Sequence, residues 1–234
     1  MKINKVAFTL AEILITLGII GVVAAMTIPA LMNQANDVEL KNKFKKEYSV
    51  FSQAILQIQT DNGGDLTNAL TNMSSAEGAP ADSQKWRDLL ATKVTTIKNC
   101  DPGVGASLTY GGCFGSSYKY FASASDPFAI QAWIDTSVRY SGVMSDGASY
   151  SVYQSANGNT CSTNFSGKTN ACSALTIDVN GVKGPNKFGK DMYGVKITNT
   201  GLITITQYGD DCGGGSGNGF GIYCAAKVLL GVNY

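Results

Sequence analysis

The apolar residues of this chain are spread very unevenly. Residues 13–32 carry no charge and are mostly Ile, Leu, Val, Ala and Gly. At about 1.5 Å per residue, a helix of that run is about 30 Å long, the thickness of one bilayer hydrocarbon core. From residue 33 to about residue 59 the pattern changes. Leu40, Phe44, Tyr48 or Phe51, Ile55 and Ile58 recur at three- and four-residue spacing, with Lys41, Lys43, Lys45, Lys46 and Glu47 between them. This predicts an amphipathic helix continuing the apolar one, about 75 Å in all. Pro29 removes one helical hydrogen bond and predicts a kink near residues 25–29. Gly18 and Gly21 either leave room for close helix approach in a bundle or are only small lipid-facing residues. Asp61-Asn62-Gly63-Gly64 is a helix stop.

Beyond the stop, residues 61–81 read as a loop of Gly, Asn, Thr and Ser. Asp82 or Ser83 is expected to cap a short helix through about Thr92, with Trp86, Leu89 and Leu90 on one face. The remaining signals are β. Residues 94–97, 118–121, 129–134, 138–144, 148–153, 175–179, 194–198 and 202–207 are the expected strands. Ser145-Asp146-Gly147 and Asn199-Thr200-Gly201 are hairpin turns between four of them. The fold class is therefore α+β: a long N-terminal helix, membrane-embedded in its first half, packed on a C-terminal antiparallel β-sheet.

Composition narrows the function. The chain has 234 residues, with 18 Lys+Arg, 17 Asp+Glu and a formal net charge of +1. That balance excludes a strongly basic nucleic-acid binder, and Tyr and Lys form no interleaved stripe, so no nucleic-acid partner is expected. The sequence contains no His, which removes His triads, His metal sites and His general bases. No nucleophile–base pair is visible either, and enzymatic activity is not expected. Lys2 and Lys5 precede the apolar run, which keeps that end in the cytoplasm and sends the rest across the membrane. Cys100, Cys113, Cys161, Cys172, Cys212 and Cys224 all follow the apolar helix. An even count on the exported side reads as disulfides. The short Gly-rich gaps favour the sequential pairs 100–113, 161–172 and 212–224. Zinc is the rival reading, but there is no C-x-x-C pair.

The apolar run is too long for the core of a cleaved secretory signal, and no A-x-A site follows it. Between Ala7 and Asn33 a single charged residue occurs, Glu12. A carboxylate inside a membrane helix marks a functional site and calls for a cationic partner; at the membrane edge it would instead snorkel to the cytoplasmic face. Phe8-Thr9-Leu10-Ala11-Glu12-Ile13-Leu14, followed by the apolar helix and Pro29, resembles the N-terminal signal of type IV pilins and type II secretion pseudopilins. The resemblance covers about the first 60 residues. Where the family usually has Gly before the cut, this chain has Ala7.

The resemblance implies a leader of residues 1–7, cut between Ala7 and Phe8 by a prepilin peptidase, and N-methylation of the new Phe8 amine. Residues 8–60 would be the helical stem, with a transmembrane segment at about 10–32, and residues 61–234 an extracytoplasmic globular domain. The protein would wait in the inner membrane as a single-pass subunit. With other pilin or pseudopilin subunits and an inner-membrane assembly platform it would then join a filament at the cell surface or in the periplasm. Glu12 would pair with the Phe8 amine of a neighbouring subunit, and so fix register, because opposite charges in a low-dielectric core are tolerable only together. The competing reading is a membrane-anchored extracytoplasmic binding or adhesion module that does not polymerise.

One loop also draws notice. Residues 178–191 follow an expected strand and open with D-x-N-G. Asp178, Asn180 and Asp191 offer oxygens of the kind calcium takes, and some pseudopilins carry calcium in a loop of the same region. Calcium is the only cofactor this reading brings in. Gly189 stands where an EF-hand has Glu, and Lys183, Lys187 and Lys190 add positive charge. The alternative is a structural loop whose Asp and Asn side chains bond backbone amides. Asp210 and Asp211 beside Gly213-Gly214-Gly215 read as a flexible disulfide-closed loop.

Overall fold

A computed structural model of the chain describes residues 9–74, 80–101, 113–114, 139–154, 158–165, 168–204, 212 and 224–232. The strands expected at 118–121 and 129–134, and the residues Ala7, Phe8, Asp210 and Asp211, lie outside that set. The chain divides into two compact units, Met1–Glu39 and Leu40–Tyr234. Helix α1, Leu10–Asp61, begins in the first and ends in the second. Pro29, the expected kink, lies inside α1, which continues through it.

In the first unit the apolar side chains of α1 are exposed, from Leu10 to Met32. This helix is long and apolar enough to cross a membrane. In the second unit α1 buries Leu40, Phe44, Glu47, Phe51, Ala54, Ile55 and Ile58, one stripe at helical spacing. Tyr48 is half-buried and donates its hydroxyl to the Leu202 carbonyl at 2.7 Å, so Phe51 rather than Tyr48 is the core residue. The stripe corrects one expectation. Glu47, expected among the solvent-facing charges, sits on the buried face and is 2% exposed. It stands three residues after Phe44 and four before Phe51, which places it on their face.

The sheet is antiparallel throughout, in the order β1-β2-β3-β5-β6-β7 with β4 paired to β5. The strands are β1 (Thr96–Cys100), β2 (Tyr140–Met144), β3 (Ser149–Gln154), β4 (Thr163–Phe165), β5 (Lys168–Asp178), β6 (Met192–Thr198) and β7 (Gly201–Thr204). Register sets Tyr150 opposite Ile177 and Ile177 opposite Tyr193; the next same-face row is Val152, Leu175 and Val195. Because side chains alternate along a strand, both rows share one face. That face meets α1: Phe44 stacks on Tyr193 at 4.0 Å between ring centroids, and Phe51 meets Tyr150 edge-on at 5.3 Å. The fold is α+β, a long N-terminal helix packed on an antiparallel sheet.

Local elements depart from expectation where polar side chains decide them. The loop after α1 contains a 3-10 turn, Leu66–Leu70, because Asp65 caps the Thr67 amide and Leu66 and Leu70 enter the core. Helix α2, Pro80–Ala91, begins two residues before the expected cap. Pro at a first helical turn loses no hydrogen bond. Asp82 instead accepts from the Ser74 amide and hydroxyl, and Ser83 accepts from the Gln154 amide. Trp86 is buried and donates to Gln154 Oε1 at 2.8 Å, joining α2 to β3. β5 reaches back to Lys168 through polar residues that carry no strand signal, its ladders with β4 and β6 supplying the order. Helix α3, Ala225–Leu230, ends at Gly231 in the left-handed conformation. The cysteines pair sequentially, Cys100–Cys113, Cys161–Cys172 and Cys212–Cys224.

Candidate functional site

Two places hold the residues singled out by the sequence, one in each unit. The first is the start of α1. Thr9 donates its backbone amide and its hydroxyl to Glu12 Oε2, both at 2.8 Å, and the Glu12 amide returns a bond to Thr9 Oγ1 at 3.3 Å. This is a capping box, and it satisfies donors that the first turn of a helix leaves open. The T-x-x-E spacing carries that signal in the sequence, so Glu12 has a local role that the charge argument alone missed. Both bonds fall on one oxygen, so Oε1 has no partner among the described residues. The helix beyond is apolar and exposed, with Thr16 and Thr27 folding their hydroxyls back onto main-chain carbonyls.

The second place is the connection between β5 and β6. Asp178 ends β5 directly opposite Met192, the first residue of β6. The strand pairing therefore brings Asp178 and Asp191 to the same end of the sheet. The Val179 amide donates to the Asp191 carbonyl at 2.9 Å and closes the loop. Asp191 accepts the Asn186 amide at 2.7 Å and the Lys187 amide at 2.6 Å, one on each oxygen. Asp178 Oδ1 accepts the Asn180 amide at 3.2 Å, and the Asn180 side chain donates to the Gly184 carbonyl at 3.0 Å. The predicted trio is thus brought together.

Both carboxyls are fully buried. Burial pushes Asp178 well above the usual carboxylate range, and the neighbouring Asp191 pushes it further. Asp191 is raised by burial as well, against the pull of the Lys187 and Asn186 amides. Asp178 Oδ2 and Asn180 Oδ1 are buried without a hydrogen-bond partner among the described residues. Two neighbouring buried carboxyls, one with an open oxygen, call for a cation or a retained proton to offset their charge. Asp178 Oδ2 and Asn180 Oδ1 are oxygens of the kind calcium takes, while both Asp191 oxygens already accept amides. The open pair is fewer than the six to eight oxygens calcium takes, so water would complete the shell. No group of three or more acidic, Cys or His side chains gathers for a metal among the described residues. Lys183 is exposed and Lys187 and Lys190 half-exposed, so their charges can face solvent.

Two residues of interest, Glu47 and Asp146, are not among the site residues expected from the sequence. Glu47 was legible as a member of the buried stripe by its spacing. Asp146 was legible only as a turn residue, since its partner comes from α1.

Comparison of the chain with protein-family models, with curated proteins and with solved structures finds no match.

Proposed function

We propose that the chain is a structural subunit of the pilin and pseudopilin kind. Residues 10–32 hold it in the inner membrane, and removal of residues 1–7 with methylation of Phe8 readies it for a type IV pilus or a type II secretion pseudopilus. Glu12 carries the reading. It is a lone carboxylate in an exposed apolar helix, at the position the Phe8-Thr9-Leu10-Ala11-Glu12 resemblance gives to the register-setting residue. An apolar surface of that length is covered by lipid before assembly and by other stems after it. The second oxygen of Glu12 suits the amine of a neighbouring Phe8, while the first keeps the helix capped.

Intact mass after co-expression with a prepilin peptidase tests this. The expected product lacks residues 1–7 and carries one added methyl. A chain that keeps Lys2 and Lys5 would favour the anchored binding or adhesion module instead.

A further inference from the structure

Glu47 is a buried carboxyl that no part of the proposed assembly uses. It lies on the face of α1 that packs against the domain, 2% exposed. No donor among the described residues reaches its Oε2. Among the described residues, the charged groups acting on it are Lys46 of its own helix and Asp146 of the β2–β3 turn. Lys46 Nζ lies 3.3 Å from Glu47 Oε1 and also bonds Asp146 Oδ2. Asp146 Oδ1 accepts the Ala148 amide at 3.1 Å, so the carboxylate holds the turn in shape. One lysine thus faces two carboxyls, which leaves one negative charge uncompensated when both are ionised.

The Gly147 carbonyl of the same turn abuts Gly181 of the β5–β6 loop so closely that a Cβ on Gly181 would lie 2.6 Å from the oxygen.

We propose that Glu47 and Asp146, joined through Lys46, form a proton-controlled clasp between α1 and the β2–β3 turn, closed while the buried Glu47 carboxyl carries a proton and loosened when that proton leaves to solvent. Their opposite titrations agree. Burial first, then Asp146, raises Glu47 to about 7, while hydrogen bonds from Glu47 and Lys46 draw Asp146 down to about 2 against its burial. The clasp makes the hold of the domain on its stem helix responsive to pH near neutrality.

The test is amide hydrogen exchange at Ser145, Gly147 and Ala148 in the full chain in detergent micelles, with intrinsic rates divided out. In the native protein the opening constant should rise up to about tenfold per pH unit between pH 5 and 7 and level off above. Glu47→Gln should abolish the rise. Asp178 and Asp191 titrate in both proteins, so the difference reads the clasp alone. Asp146→Asn should move the levelling-off to lower pH, which also serves if the Gln variant does not fold. A native profile without slope, or the same slope in either variant, overturns the proposal.

Discussion

Thr9 donates both its amide and its hydroxyl to a single oxygen of Glu12, each at 2.8 Å. The carboxylate therefore has a structural role in capping α1 and, in the proposed filament, a charge role toward a neighbouring amine. The two separate by substitution. Glu12→Gln keeps an acceptor for Thr9 and removes the charge, whereas Thr9→Ala keeps the charge and removes the two cap bonds made by the hydroxyl. Glu12→Gln is expected to block filament formation as fully as Glu12→Ala, and Thr9→Ala to leave it intact, read by pelleting of sheared filaments. Assembly by Glu12→Gln at the native level would assign the residue to the cap alone.

The Asp178–Asp191 pair predicts a pH dependence with a definite sign. Both carboxyls keep a proton to higher pH in the folded protein than in the unfolded chain, so unfolding releases protons. Stability should fall as pH rises from the ordinary aspartate value of 3.8 through the elevated folded values. Urea midpoints at pH 5 and pH 8 in a Glu47→Gln background read this, because Glu47, raised to about 7, titrates in the same window. Asp178→Asn should flatten the dependence and raise the midpoint at pH 8. Calcium at about 1 mM, the range of extracellular sites, should raise the native midpoint at pH 8 and leave Asp178→Asn unmoved. A native protein indifferent to calcium would leave the proton as the neutralising partner.

The disulfides close segments of 13, 11 and 12 residues. In the chain-entropy account each loop of that size contributes about 2–3 kcal/mol by restricting the unfolded chain. Replacing Cys161 and Cys172 together by Ser should lower the unfolding free energy by about that amount in urea denaturation. Peptide mapping without reductant should recover the three sequential pairs.

Gly181 is where two loops touch. Its φ of +62° disfavours any side chain, and a Cβ there would lie 2.6 Å from the Gly147 carbonyl oxygen, a backbone atom that cannot step aside. Gly181→Ala should cost about 2 kcal/mol or more in urea denaturation. Gly184→Ala, with nothing within 4 Å of the new methyl, should stay within about 0.5 kcal/mol of the native protein.

The long helix and most strands were legible because their signals are local. An uncharged run from residue 13 to 32, a stripe from Leu40 to Ile58, and alternation flanking Ser145-Asp146-Gly147 each need only neighbouring residues. The helix stop was legible for the same reason: Gly63 and Gly64 both take positive φ. The same locality explains the omissions. β4 and the first part of β5 owe their extended form to partners across the ladder, and α3 is a six-residue helix too short to show a period.

By itself the sequence determined the apolar helix, the α+β class and the D-x-N-G loop, because composition and periodicity act along the chain. Only the tertiary structure decided which charged groups lose water. Glu47 and Asp146 are about a hundred residues apart yet share Lys46. Asp178 and Asp191 come to the same end of the sheet because β5 and β6 pair in register at Asp178 and Met192. Burial and contact between distant segments set those charges, and no local pattern encodes either one.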